Sequence, residues 1–148
     1  MKRVLVPLDS SEFAEAVLKS GLQTLPAEET HVVLFHCVDL NTLYARTGHE
    51  PAEFYIQAER QYRAEKEAYL KGVLERLQAE GYSGSLRIAI GDPVDSILQA
   101  ALDENVDAIV MATHGRSGIE RFFLGSVTEG VLRRSRWLVL VVPSARAS

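Results

Sequence analysis

The residues of this chain whose types and spacing suggest chemistry are glycines in two turns and the hydroxyl residues beside them. From Ile109 to Leu132 the sequence reads as an apolar strand ending near Ala112, a loop carrying Gly115 and Gly118, a second turn at Gly125 and Ser126, and a helix starting there. Glycine lets a backbone approach an anion closely, and the first-turn amides of a helix have no internal acceptor and point outward. Two glycine turns facing one helix N-terminus therefore suit a phosphate group. Neither common nucleotide fingerprint is present: there is no G-x-x-x-x-G-K-[ST], and Gly115 and Gly118 do not form a G-x-G-x-x-G.

The remaining reactive side chains point to binding rather than catalysis. His31, His36, His49 and His114 show no metal-ligand spacing, and none has a carboxylate or cysteine partner at a recognisable offset. His114, beside Arg116, reads as a loop residue touching phosphate or solvent, and Arg116 either reaches a terminal phosphate or is solvated. His36 and Cys37 fall inside a strand and read as core. Ser126 to Glu129 (Ser-Val-Thr-Glu) is a complete capping box, so helix formation alone explains Ser126, and Asp9 is either an N-cap or a ligand contact. Fast phosphoryl transfer would need a positioned base with metal and cationic clamps, whereas this pattern supplies only a phosphate cradle.

The elements that must position these residues alternate. Arg3 to Leu8 and Val32 to Val38 are short apolar runs, the pattern of strands buried on both faces. Asp9 with Glu12 opens a first helix, carried by Phe13, Ala16, Val17 and Ser20 and stopped by Pro26. Asp39 to Pro51 has no defensible period and reads as a loop. Ala52 to Glu80 reads as one long amphipathic helix ending at Gly81, with Ala58, Tyr62, Tyr69, Val73 and Leu77 on its apolar stripe. Ser85 to Ile90 alternates like an edge strand. Asp92 and Pro93 open a helix that buries Ile97, Leu98, Ala101 and Leu102. Asp107 to Ala112, Ser126 to Arg134 and Trp137 to Val142 give the last strand, helix and strand. This alternation predicts one α/β domain over residues 1–148, with a parallel sheet and right-handed crossovers.

Composition narrows the function. Hydrophobic residues make up 47% and charged residues 24% of the 148, which is ordinary globular usage and excludes disordered and coiled-coil classes. The formal net charge of -4, with Arg133, Arg134 and Arg136 as the only basic cluster, offers no footprint for nucleic acid. That cluster sits where a helix C-terminus favours cations. No apolar run is long enough to span a membrane, and Cys37 is the sole cysteine, so the expected location is the cytoplasm.

Ala112-Thr-His-Gly115, nine residues, then Gly125-Ser126 resembles the motif G-x2-G-x9-G-[ST] of the universal stress protein family, with Ala112 standing where the motif has its first glycine. The resemblance extends over the chain through Val6-Pro7-Leu8-Asp9-Ser10-Ser11, Phe35 to Asp39, Gly91-Asp92-Pro93, and Gly125 to Thr128. It implies an open five-stranded parallel sheet of order 3-2-1-4-5 with helices on both faces, the adenine-nucleotide alpha-hydrolase-like fold. It also implies a stress-response module that binds ATP, with magnesium held mainly by the phosphates and Asp9 as the one candidate protein ligand. Pro7, Leu8 and Asp9 would lie by the nucleoside, the Val38 main chain would meet the adenine edge, and Met111 and Ala112 would lie near the ribose. His114, Gly115, Arg116, Gly125, Ser126, Val127 and Thr128 would surround the phosphates, the last four through amides and hydroxyls. A homodimer pairing Trp137 to Val142 with its copy is implied as well. The alternative is a dimeric interaction module of the same fold whose crevice holds no nucleotide, and an adenylyl-transferring enzyme would need a base that the sequence does not offer.

Overall fold

The computed structural model describes residues 1–9, 18–47, 52–113 and 125–143. Its five apolar runs form parallel strands β1 (Lys2–Pro7), β2 (Thr30–Asp39), β3 (Ser83–Gly91), β4 (Ala108–Ala112) and β5 (Leu138–Val142). They lie in the order β3-β2-β1-β4-β5, as the family resemblance implies. Register runs from Lys2↔Thr30 to Pro7↔Phe35 between β1 and β2, and Val4 pairs with Ala108 between β1 and β4.

Alternate residues of each central strand serve two separate cores, which is why these strands read as continuous apolar runs. On one face Val4, Val6, Val32 and Leu34 pack against Leu18 and Leu22 of α1, whose described part is residues 18–22, and against Leu70, Val73 and Leu77 of α3 (Ala52–Ala79). On the other, Leu5, Val33, Phe35 and Ile109 meet Ile97, Ala100 and Ala101 of α4 (Pro93–Asp103) and Val131 of α5 (Ser126–Arg134). Each valine, leucine, isoleucine or phenylalanine among them, taken fully out of water, contributes about 1.5–3 kcal/mol. Gly21 sits inside α1 because a Cβ there would stand 2.9 Å from Val110 Cγ1 and 3.0 Å from Val142 Cγ2. The starting residues of this helix, including Glu12, Phe13, Ala16 and Val17, lie outside the described residues.

Three expectations need correction. The segment after β2 is not all loop: Leu40–Thr47 forms α2, with the Asp39 carboxylate accepting from the Asn41 amide at 3.0 Å. Leu43 is buried with Val38 and Tyr62 in a third cluster, so α2 is held by tertiary packing that its own composition does not announce. In α4, Leu102 is 49% exposed and Ala100 takes its place against the sheet, two adjacent alanines letting the helix lie close. The strand limits also differ: β2 begins at Thr30, β3 at Ser83, and β5 at Leu138 rather than Trp137. The Asp92 cap is as expected, its carboxylate accepting from the Asp95 amide at 2.9 Å.

The end of the sheet away from the glycine turns is polar. Glu104 bridges Arg3 at 2.9 Å and Arg87 at 3.2 Å, while Arg87 also pairs with Asp103. The His31 ring lies between the Ser83 and Ser85 hydroxyls, 3.1 Å from each. Burial, and then the Arg3 charge, hold the His31 pKa below its ordinary 6.5. The unfolded chain therefore binds the proton more readily, and stability is lost as pH falls below about 6.5. Asp103 is held below 3.8 by the Gln99 hydrogen bond and then by Arg87, so its contribution is lost only in stronger acid. Urea midpoints measured against pH should show both steps, and His31→Gln should remove the upper one alone. An unchanged profile in that variant would contradict this assignment.

Candidate functional site

The chain leaves β1 for α1 on one face of the sheet and leaves β4 for α5 on the other, so the carboxyl ends of β1 and β4 flank a switch point. A crevice opens where neighbouring connections diverge in this way, and α/β sheets bind ligands there. Pro7 makes the last β1–β2 pair with Phe35, and Leu8 follows with its amide donating to the Phe35 carbonyl at 2.8 Å. Asp9, half-buried, comes next.

Across the crevice, β4 ends at Ala112, which pairs with Val142 of β5. Two bonds fasten the start of α5 to this end: the Gly125 amide donates to the Thr113 carbonyl at 2.7 Å, and the Thr128 hydroxyl donates to the Ala112 carbonyl at 2.8 Å. The first intrahelical bond runs from the Glu129 amide to the Gly125 carbonyl at 2.9 Å. The amides of Ser126, Val127 and Thr128 thus precede the ladder and have no acceptor within the helix. Three donors and the positive end of the helix dipole converge beside the strand end, an arrangement fitted to an anion.

This geometry corrects two readings of the turn. The N-cap is Gly125, with φ -57° and ψ 149° and no side-chain cap, so Ser126 is the first helical residue and is exposed. The capping box is not made; Glu129 instead pairs with Arg133 at 2.7 Å. The Thr128 side chain is buried and its hydroxyl is spent on Ala112, leaving its amide for a ligand. Thr128→Val should cost about 1 kcal/mol of stability and loosen the start of α5. Thermal denaturation checks this, and an unchanged Tm would show that the bond is not worth making.

Ala112 bears on whether the crevice can accept a ribose. Its backbone is ordinary strand, and Asn105 is the only non-glycine among the described residues with positive φ, so the missing glycine costs the main chain nothing. Met111 packs with the α4 and α5 core, and strand alternation turns the Ala112 methyl to the opposite face, the side of Val110. The methyl is directed away from the layer that carries the α5 amides.

The remaining expected residues divide by what they can offer. Leu8, Val38 and Met111 have buried side chains and can meet a ligand only through main chain. Val38 stands one strand beyond β1, at the carboxyl end of β2, with its side chain packed on Leu43 and Tyr62. Val127 is half-buried against the α5 core. His114, Gly115 and Arg116 lie outside the described residues. Cys37 is half-buried near the Gly91 carbonyl, and burial pushes its thiol pKa up, which suppresses the reactive thiolate. Among the described residues no group of three or more potential metal ligands occurs. A cavity of about 230 Å³ between α1 and α3, floored by Leu18, Leu22, Val73 and Leu77, contains none of the crevice residues.

One polar residue beside the crevice is more than the core residue expected. His36 is buried on β2, and its Nδ1 lies 2.7 Å from the Leu8 carbonyl, directly before Asp9. The available signal was a histidine at an inward position of an otherwise apolar strand.

The family model of the universal stress protein family matches residues 1–143. Universal stress protein MJ0577 of Methanocaldococcus jannaschii is 32% identical, with 95% of this chain and 94% of that protein aligned. Its solved structure superposes with a TM-score of 0.84 over 96% of this chain and 95% of that one. Universal stress protein Sll1388 of Synechocystis is 25% identical, with 95% and 96% covered. A universal stress protein solved in complex with cAMP is similar as well, at 25% identity and a TM-score of 0.67 over 97% of this chain and 98% of that one.

Proposed function

This chain belongs to the universal stress protein family, and we propose that within it the protein is an ATP-binding module of the cytoplasmic stress response. The observation that carries this reading is the α5 N-terminus, fastened to the end of β4 by Gly125 and Thr128 with three first-turn amides directed outward. The cAMP complex of a 25% identical relative supports an adenine nucleotide as the ligand class. In this reading the phosphates lie on Gly125, Ser126, Val127 and Thr128, with His114, Gly115 and Arg116 around them. The nucleoside lies by Pro7, Leu8, Asp9, Met111 and Ala112, with adenine against the Val38 main chain.

Magnesium, when present, is held mainly by the phosphates, with Asp9 the protein's one candidate ligand. The protein's own groups bind and orient the nucleotide: amides fix the phosphates, and Asp9 accepts from the nucleoside side. A phosphate cradle binds without supplying a base, so this reading includes slow hydrolysis at most. Nucleotide released by denaturing freshly purified protein, then resolved by chromatography, tests the reading. Adenine nucleotide approaching one per chain is expected, whereas folded protein releasing none would favour the interaction module.

The same reading includes a homodimer. β5 is the last strand of the sheet, with Leu138 72% exposed and Leu140 also exposed, and an apolar strand edge of this kind is an aggregation hazard unless covered. A second copy of β5 is the proposed cover, so light scattering at micromolar concentration should give twice the chain mass. The mass of one chain would contradict it.

A further inference from the structure

We propose that His36 is a positioning residue of the nucleotide crevice, holding the Leu8 carbonyl and thereby fixing where Asp9 stands; the proposal rests on the nucleotide reading above. The ring is buried on the β2 face that also carries Leu34 and Val38, where a polar group costs stability unless it is hydrogen-bonded. A carbonyl can only accept, so at 2.7 Å from the Leu8 oxygen it is Nδ1 that carries the proton. The Tyr62 ring of α3 supports the imidazole, with centroids 6.1 Å apart and planes tilted by 41°, and Lys66 lies over Tyr62 in turn.

The consequence follows from peptide geometry. The β1–β2 ladder has its last pair at Pro7 and Phe35, and beyond it Leu8 is held at both ends: its amide donates to Phe35 and its carbonyl accepts from His36. The peptide unit is planar, so the orientation of the Leu8 carbonyl also sets the Asp9 amide and Cα. Remove the imidazole donor, and the buried carbonyl must turn to find another, carrying Asp9 out of the crevice. A histidine serving only as filling would leave Asp9 unaffected.

The test is a double-mutant cycle on nucleotide affinity, read by calorimetry with ATP and with adenosine. His36→Leu should weaken both ligands about fivefold to tenfold, because the loss lies on the nucleoside side. His36→Asn, whose amide N–H replaces Nδ1–H, should recover most of that loss. In the Asp9→Ala background, His36→Leu should cost nothing further, since His36 acts through Asp9. If His36→Leu does not fold, His36→Gln, whose amide occupies the Nε2 position instead, takes its place in the cycle. Long-range proton–nitrogen correlation on the unmutated protein should show Nδ1 protonated, with or without nucleotide.

Wild-type affinity in folded His36→Leu or His36→Gln, multiplying losses in the double variant, or a proton found only on Nε2 would each overturn the positioning role while leaving the nucleotide reading intact. Unmutated protein that binds neither ATP nor adenosine would overturn both.

Discussion

Ser126→Pro is expected to weaken ATP binding by about 10- to 100-fold and to leave the Tm at or above that of the unmutated protein. Ser126 is the first residue of α5, where a missing amide hydrogen costs the helix nothing and the fixed φ of proline is already helical. The residue before a proline must be extended, and Gly125 already is, at φ -57° and ψ 149°. The substitution therefore deletes one outward amide while sparing the fold. A hydrogen bond to a charged group contributes about 1.5–3 kcal/mol, which corresponds to the stated loss. Ser126→Ala, which keeps the amide, separates the hydroxyl from the main chain and should lose much less. Unchanged ATP affinity in Ser126→Pro would mean that the phosphates are not seated on this helix.

Gly84→Ala should destabilise the protein by about 1–3 kcal/mol, the range for forcing atoms into a packed site. A Cβ at this position would stand 2.5 Å from Leu74 Cδ1 and 2.7 Å from the Val32 carbonyl oxygen. The leucine methyl can move aside, but the carbonyl belongs to the neighbouring strand, so β3 must shift away from β2. β3 is one of the two edge strands, and the strain is relieved by opening that edge at its start. A lowered urea midpoint with faster amide exchange at Val32 to Leu34 is the expected result. Unchanged stability would show that the strands have slack between them. Total stabilities of single domains are about 5–15 kcal/mol, so the loss is a substantial share.

What was legible in the sequence depended on how local its cause was. The strands were legible because burial on both faces leaves continuous runs such as Val32 to Val38, and the Asp92-Pro93 helix start because a cap is made within four residues. The order of the strands was not carried by any run; it came with the family resemblance. α2 escaped because its apolar residues, Leu40, Leu43 and Tyr44, span barely one turn, and its anchor Leu43 is fixed by Val38 and Tyr62 from other elements. The α5 bounds, Ser126 to Arg134, were legible, but its cap was not, for the same reason. Ser126 to Glu129 satisfies a local capping pattern, but the bonds to Thr113 and Ala112 from sixteen or fewer positions away set the first turn instead.

The candidate site divides along the same line. That the helix start at Gly125 to Thr128 leaves first-turn amides without helical acceptors was readable from residue type and spacing, because such amides are a property of any helix start. The Thr128 hydroxyl's engagement and the role of His36 were not readable, since each depends on a carbonyl supplied by another strand.

The most direct test of the central claim is a calorimetric titration of ATP into protein emptied of nucleotide, with and without magnesium. Saturable binding at one ATP per chain is expected in both conditions, because in the proposed site the protein would hold the phosphates and nucleoside mainly through its own groups and the metal at most through Asp9. Folded protein that gives no binding heat over temperatures where the enthalpy cannot vanish throughout, and that retains no ATP in equilibrium dialysis, would contradict it.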